Sequence, residues 1–543
     1  MDKRTIQVAL ICMLALFGVQ FAINKIWPPV PKRPAPVVVT NAVPSVVADP
    51  AQPIEAPPAV ETSAPTVAAS ERPTEQTLTL RNDFVRVEFT SWGGGIKSVE
   101  LLKHKANGHG NATLAGLALV VNGTSNEVFT LEQPDSNTVV MRGAGMKKTL
   151  TLGADYLFDG KVEFGHGAGL SNVFISTGIA TPTTHKEVAH YLIADWQGGP
   201  KWNDRHLSRI MKRTQAGENR ELIQAHWIAV KSQYFAQIIS TPTNAVSITY
   251  RAVGLPAWPD HPKSAETNGV TAVMEVPVAP TYDGAAVTFT YYAGPKDYDR
   301  LVALGKHQEE AMDYGSWLDF YSGIFGLLLF RGLSFFYGII PSYGIAIILV
   351  TLVLKIVFWP IQAKSMASMK QMQKFQPQVA KLKEKYKDDP QRLNQETMKL
   401  YKEHKINPFA GCLPMLVQLP VLMAFYKVLI SDIGTRGVPF LWIKDLAQPD
   451  TIFMVAGIGL NPLPIIMTGL MVWQQKITPQ TGDPQQAKMM MFMPLIMLIF
   501  FYNTASGLTL YWTFQQLLSI VQQWWSMRKE QKAGTAPMAA KPK

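Results

Sequence analysis

The stretch SYGIAIILVTLVLKIVFWPI, Ser342 to Ile361, constrains this chain more than any other. As a helix its twenty residues would rise ~30 Å, about the thickness of bilayer hydrocarbon. Lys355 sits inside it. A lysine near the middle of a bilayer costs roughly 2.5–3.5 kcal/mol on insertion scales. Pro360 is expected to mark the cytoplasmic end of the span, ~7.5 Å further along the axis. Two readings are open: the stem snorkels to the headgroups, or the protein keeps a wet, polar place for the amine inside the membrane.

Composition says what surrounds this span. The chain has 543 residues, 47% hydrophobic and 17% charged, a mixture that suits a soluble domain joined to a membrane domain. An apolar run, Ile6 to Ile23, follows Lys3 and Arg4 without a small-residue cleavage site and reads as an uncleaved signal anchor. Twelve of the 38 prolines fall between Pro28 and Gln76, an extended tether. From Leu78 onward short alternating strands appear, such as FVRVEFT, AVSITYRAV, VTAVMEVPV and AVTFTYYAG, and predict an all-β sandwich. Trp317–Phe336, with Asp319 and Arg331, is expected to lie as an interfacial helix. Further spans are expected at Cys412–Ser431, about Pro464–Pro479, about Met489–Tyr502 and Leu508–Trp525. The fourth and fifth spans, at ~24 and ~21 Å, are shorter than the hydrocarbon core and would thin it locally.

This gives residues 1–27 as anchor, 28–77 as linker, 78–310 as β domain and 311–341 as interfacial helix. A five-helix core follows at 342–530, with a cytoplasmic hairpin at 362–411, and a basic tail at 531–543. Charge sets the orientation. The segment 362–411 carries a net +6, the segment 432–460 a net −1, and the tail beyond Trp525 a net +4. Positive loops stay in the cytoplasm, so six spans with both termini inside and the β domain outside are expected.

Few residues offer chemistry. Cys12 and Cys412 are the only cysteines, and His185 and His190 lie five apart, so no metal site and no cofactor is expected. Neither a phosphate loop nor a nucleophile elbow occurs, and no enzymatic activity is expected. The five C-terminal spans contain no Asp or Glu to neutralise Lys355, so the amine is expected to need water. Thr351 lies one turn before it, and other spans carry Gln418, Tyr511, Trp512, Gln515 and Gln516. In the basic hairpin, Met372, Phe375, Val379, Leu382 and Tyr386 step by three and four along one seam; Pro377 starts a new helix and KDDP makes a turn. Its Lys381, Lys383, Lys385, Lys387 and Arg392 either set topology or form a docking platform for ribosomal RNA or anionic lipid.

The run GIAIILVTLVLKIVFWPIQAKSMASMKQMQKFQPQVAKLKEKYKDDPQRLNQETMKLYKEHKINPFAGCLPMLVQLPV resembles the YidC/Oxa/Alb family of membrane protein insertases. The segments DPQQAKMMMFMPL, ASGLTLYW and NDFVRVEFTSWGGGIKSVEL are similar to it as well. The resemblance implies a multi-pass α-helical membrane protein with six transmembrane helices and an all-β periplasmic domain, a mutarotase-like β-supersandwich. It also implies a hydrophilic groove lined by a positive residue, usually arginine, where this chain has Lys355, with Thr351 and Trp512 alongside. Tyr511, Gln418 and Gln516 complete the expected groove. Clients would slide along Met415, Leu419, Met423, Phe492, Leu495 and Ile499 into lipid. Implied partners are nascent membrane proteins, the Sec translocon, the ribosome with its signal-recognition machinery, and membrane lipids; no DNA partner is implied. A membrane-anchored periplasmic carbohydrate-binding protein is the alternative reading.

Overall fold

The computed structural model describes residues 73–532, apart from 107–109, 166–169, 184–191, 199–200, 207–218, 256–266, 279–284, 313–318, 388, 405, 407–412, 456–457 and 479–483. The expected anchor, most of the Pro-rich tether, His185, His190, both cysteines and the end of the basic tail lie outside these. Two compact units emerge.

The first unit is all β. Alternation builds it: in β2 (Val85–Thr90) Val85, Val87 and Phe89 are fully buried while Arg86 faces water. With β1 (Thr77–Arg81), β3 (Gly95–Lys105) and β4 (Asn111–Ala118), it forms a four-stranded antiparallel sheet. An eleven-stranded sheet supplies the rest, organised around the 21-residue strand β13 (Phe235–Leu255). One half of β13 pairs with β15 (Ala285–Pro295), from Phe235↔Pro295 to Ser240↔Thr290; the other half pairs with β14 (Thr267–Pro277). Strand β12 (Asn219–Lys231) runs along both halves. Every strand the alternation singled out is present.

Two buried lysines sit inside this unit. Lys231 forms an ion pair with Asp195, both sealed from solvent, and also donates to the Ala311 carbonyl at 3.0 Å. Lys148, on β7 (Met146–Leu152) of the large sheet, donates to the Gly93 and Gly94 carbonyls in the turn between β2 and β3, each at 2.8 Å. Its ammonium lies 4.5 Å from the centre of the Phe129 ring. Gly94 has φ +54° and touches that ring so closely that a Cβ would stand 2.5 Å from it, so no other residue fits there.

The second unit is helical. Helix α1 is Tyr298–Leu304. Helix α2, Asp319–Ile339, buries Leu328, Leu329 and Leu333 among residues of the next helices. Its Arg331 is buried against Asp299, 2.9 Å away. The helix expected to lie at the interface also contributes to the bundle core. Helix α3, Tyr343–Lys374, runs for 32 residues straight through Pro360, so the helix continues past the point where the span is expected to end. A proline inside a helix frees one carbonyl and crowds another, yet neighbouring helices can hold it in place. Helices α4 (Gln376–Lys385) and α5 (Pro390–Glu403) form the hairpin. Its seam packs Met372, Phe375 and Val379 against Leu400, Tyr401 and Ile406, and Asp389 caps α5 by accepting from the Arg392 N–H at 2.9 Å. Then come α6 (Leu413–Ser431), α7 (Pro462–Ile477), α8 (Pro484–Phe501) and α9 (Ser506–Lys532). Helix α8 has 18 residues, ~27 Å, with its apolar stretch at Met491–Phe501; α7 has 16, ~24 Å.

Candidate functional site

The site grows from the face that α3 and α9 share. On α9, polar residues recur at Tyr511, Gln515, Ser519, Gln522 and Ser526, steps of three and four that stack on one side of a helix. Each of several rungs reaches a different neighbour. Gln418 of α6 donates to the Tyr511 hydroxyl, and Gln515 Nε2 donates to Gln418 Oε1 at 3.4 Å. Lys355 of α3 donates to Ser519 Oγ at 2.7 Å, and Lys370 donates to Ser526 Oγ at 3.3 Å. Aromatic packing fixes the upper end, where the Phe425 and Tyr511 rings stack with centres 4.0 Å apart.

Lys355 is the centre of this line, with only 2% of its surface exposed. Its amine also donates to Gln362 Oε1 at 2.6 Å. Gln362 lies two turns on, ~10.5 Å of rise, so the stem leans toward the cytoplasmic end of α3 but stops inside the bundle. Within the protein, two neutral oxygens accept from the amine. Ser519 is already committed, since its hydroxyl donates to the Gln515 carbonyl at 2.8 Å. No carboxylate pairs with Lys355 among the described residues, so its charge is solvated without being neutralised.

The other expected groove residues are placed as follows. Thr351 is fully buried on the same face of α3 and spends its hydroxyl on the Ile347 carbonyl at 2.6 Å. Trp512 packs its ring 5.7 Å from Phe501, and its indole N–H is buried with no partner among the described residues. Gln516 is half-buried one position off the polar line, and Gln515 makes the bond to Gln418 instead. Ser519, Gln362 and Gln522 were missed. The three- and four-residue spacing along α9 could have shown Ser519 and Gln522, whose side-chain amide N–H is buried without a partner among the described residues.

The bundle's exterior is apolar. Leu419, Met423, Phe492, Leu495 and Ile499, expected along the slide, are all exposed, Ile499 to 73%; the Met415 side chain lies outside the described residues. Ile465, Ile466, Trp473, Phe500 and Val521 are exposed as well. So much uncovered apolar surface does not persist in water. By length and composition alone, α3 is the one described helix able to cross a membrane, with shorter apolar stretches at Phe325–Ile339, Val417–Ser431 and Met491–Phe501. On the hairpin, Lys381, Lys385, Lys387 and Arg392 are exposed and Lys383 is half-buried. Lys385 and Arg392 flank the Tyr386 ring at 5.3 and 5.7 Å. No cluster of metal-binding side chains occurs among the described residues.

An apolar-faced bundle around a solvated internal charge, in one chain with a β domain, defines an integral membrane protein that carries a soluble domain. Known proteins make the class specific. A family model described as the YidC periplasmic domain matches residues 77–326, and one described as 60Kd inner membrane protein matches residues 335–533. The membrane protein insertase YidC of Oleidesulfovibrio alaskensis is 33% identical over 81% of this chain and 84% of its own length. That of Maridesulfovibrio salexigens is 31% identical over 97% of this chain and 99% of its own. Among solved structures, an active YidC insertase with its first transmembrane domain resolved has a TM-score of 0.37 and 17% identity, over 84% of this chain and 93% of that one. A galactose mutarotase related enzyme from Lactobacillus acidophilus has a TM-score of 0.26 and 10% identity, over 40% of this chain and 97% of that one. The chain belongs to the YidC family of membrane protein insertases, inner-membrane proteins with a periplasmic domain.

Proposed function

We propose that this chain inserts nascent inner-membrane proteins into the bilayer without an energy source, alone or beside the Sec translocon, and chaperones them there. In this reading it crosses the membrane six times, with both termini in the cytoplasm and the β domain in the periplasm. The ribosome and its signal-recognition machinery deliver clients over the basic hairpin. A client's polar, often acidic, tail enters along the α9 line toward Lys355. Its carboxylate displaces Gln362 or Ser519 and gives the ammonium a charged partner it otherwise lacks. The polar rungs lower the cost of carrying polar groups partway across. Helix α7, at ~24 Å, thins the bilayer beside the path. The client's apolar segment passes over Leu419, Met423, Phe492, Leu495 and Ile499 into lipid, and its burial there completes the step.

The observation that carries this reading is the buried ammonium held, among the described residues, by two neutral oxygens. Its test is insertion of an acidic-tailed client in cells depleted of their own insertase and supplied with Lys355→Glu. Insertion should fall several-fold, Lys355→Arg should retain it, and a client with a lysine tail should recover with Lys355→Glu. Undiminished insertion of the acidic client by Lys355→Glu would remove the electrostatic step.

A further inference from the structure

The connection between α6 and α7 is built inside out for a loop in water. Two of its three carboxylates, Asp432 and Asp450, are buried, and the third, Asp445, is half-buried and bonded to backbone. Asp432 accepts from the Gly434 N–H at 3.0 Å. Asp445 accepts from the Gly437 and Ala447 N–H groups, both at 2.9 Å. Asp450, 3% exposed, accepts from Trp442 Nε1 at 3.1 Å and from the Leu463 N–H at the start of α7 at 2.7 Å. The large apolar side chains that face out are Leu441 and Trp442 at one tip, beside the exposed Lys444, and Ile452, Phe453 and Met454 at a second.

The first tip carries a further sign. Phe440 and Ile443 exchange two backbone hydrogen bonds of 2.9 Å, closing a two-residue hairpin over Leu441 and Trp442. Leu441 has φ +53°, a left-handed conformation that such a turn normally gives to glycine. A leucine held there, 75% exposed, costs backbone energy and gains no packing within the protein. The second tip is a short hairpin of β16 (Phe453–Val455) and β17 (Ile458–Leu460). It is fastened to the end of α8, since Tyr502 donates to the Gly459 carbonyl at 2.8 Å and Asn461 donates to the Tyr502 carbonyl at 2.6 Å. Beyond Asn461 the exposed apolar surface resumes on α7 at Ile465 and Ile466.

We infer that Leu441–Trp442 and Ile452–Met454 are anchors that sit in the headgroup–acyl boundary of the outer leaflet. The occupant is bilayer lipid: the tips join helices whose own exposed apolar faces meet lipid, and a tryptophan with a bonded N–H and a bare ring suits that boundary. This inference rests on the membrane topology proposed above. Anchored here, the outer ends of α6, α7 and α8 would be held at a fixed depth.

The test uses the full chain with Cys12 and Cys412 replaced by serine, reconstituted in vesicles of phosphatidylethanolamine and phosphatidylglycerol. A nitroxide is placed at Leu441→Cys, at Met454→Cys, or at Ile499→Cys on α8. Collision with oxygen and with a water-soluble nickel chelate is then compared with a label at Lys381→Cys on the hairpin. The inference expects an oxygen-to-nickel ratio at 441 and 454 several-fold above that at 381. A ratio equal to that at 381, or protection from both reagents, overturns it. If 499 shows the lipid ratio while 441 and 454 do not, the anchors fail and the topology stands. If 499 also reads as water, the topology fails with them.

Discussion

At the scale of a residue, two buried lysines divide the chemistry. Lys355 has two neutral acceptors, so removing one should be felt. Ser519→Ala leaves a buried ammonium short of a hydrogen bond and should cost about 1–3 kcal/mol, read as a lower thermal midpoint in detergent. Lys355→Met in the same background should recover part of that loss, because the ammonium that lacked a partner is gone. The Lys355–Ser519 contact spans 164 positions in the chain, and this distance is why the sequence could not show it. Hydropathy locates the lysine, and its having no acid nearby is visible in the composition of the spans. Which helix faces it is decided by packing. Lys148 is the complementary case outside the membrane. Burial pushes its amine down to about 7, although two carbonyls accept from it. An unfolded chain keeps that lysine protonated up to about 10.5, so between these values the unfolded state binds more protons and stability rises with pH. The β domain's unfolding midpoint should therefore climb from pH 7 toward pH 10 in the full chain. Lys148→Met should flatten that climb, as followed by calorimetry.

At the scale of an element, periodicity marks strands and seams, and hydropathy marks apolar stretches rather than helix ends. Alternation found β2 and parts of β13, β14 and β15, where every second side chain is buried; Phe235–Thr241 of β13 and Tyr291–Pro295 of β15 are buried on both faces and carry no such signal. The hairpin seam was equally readable, since three- and four-residue steps admit one geometry, and Pro377 stands in the first turn of α4. Pro360 lies inside α3, so a proline expected at the end of a span does not end the helix. Helix α8 begins before the expected span because its first residues, PQQAK, are polar, and hydropathy marks apolar stretches and not helix ends. The cap of α5 is a local feature and testable as such. Asp389→Ala should cost about 1 kcal/mol, and faster hydrogen exchange should be confined to the first turn of α5. If the hairpin docks ribosomes, this variant should weaken docking less than replacing Lys381, Lys385 and Arg392 together with glutamine.

At the scale of the whole molecule, sequence patterns gave a β domain, a basic hairpin and a set of apolar helices, and the quoted motifs gave the family. They did not give the relation between the polar line of α9 and the apolar exterior of α6 and α8, because that is a property of the packed bundle. Function depends on both: a path for polar groups inside and a surface for apolar groups outside. The most direct measurement is site-specific photocrosslinking to a stalled, acidic-tailed nascent client. The probe is placed at Trp512 beside the α9 line, at Thr351, or at Ile499 on the exterior. The account predicts adducts with the client's polar tail from 512 and 351, and adducts with its apolar segment from 499. Tail adducts from 499 alone, with none from 512 or 351, would show that clients bypass the buried lysine and would contradict the account.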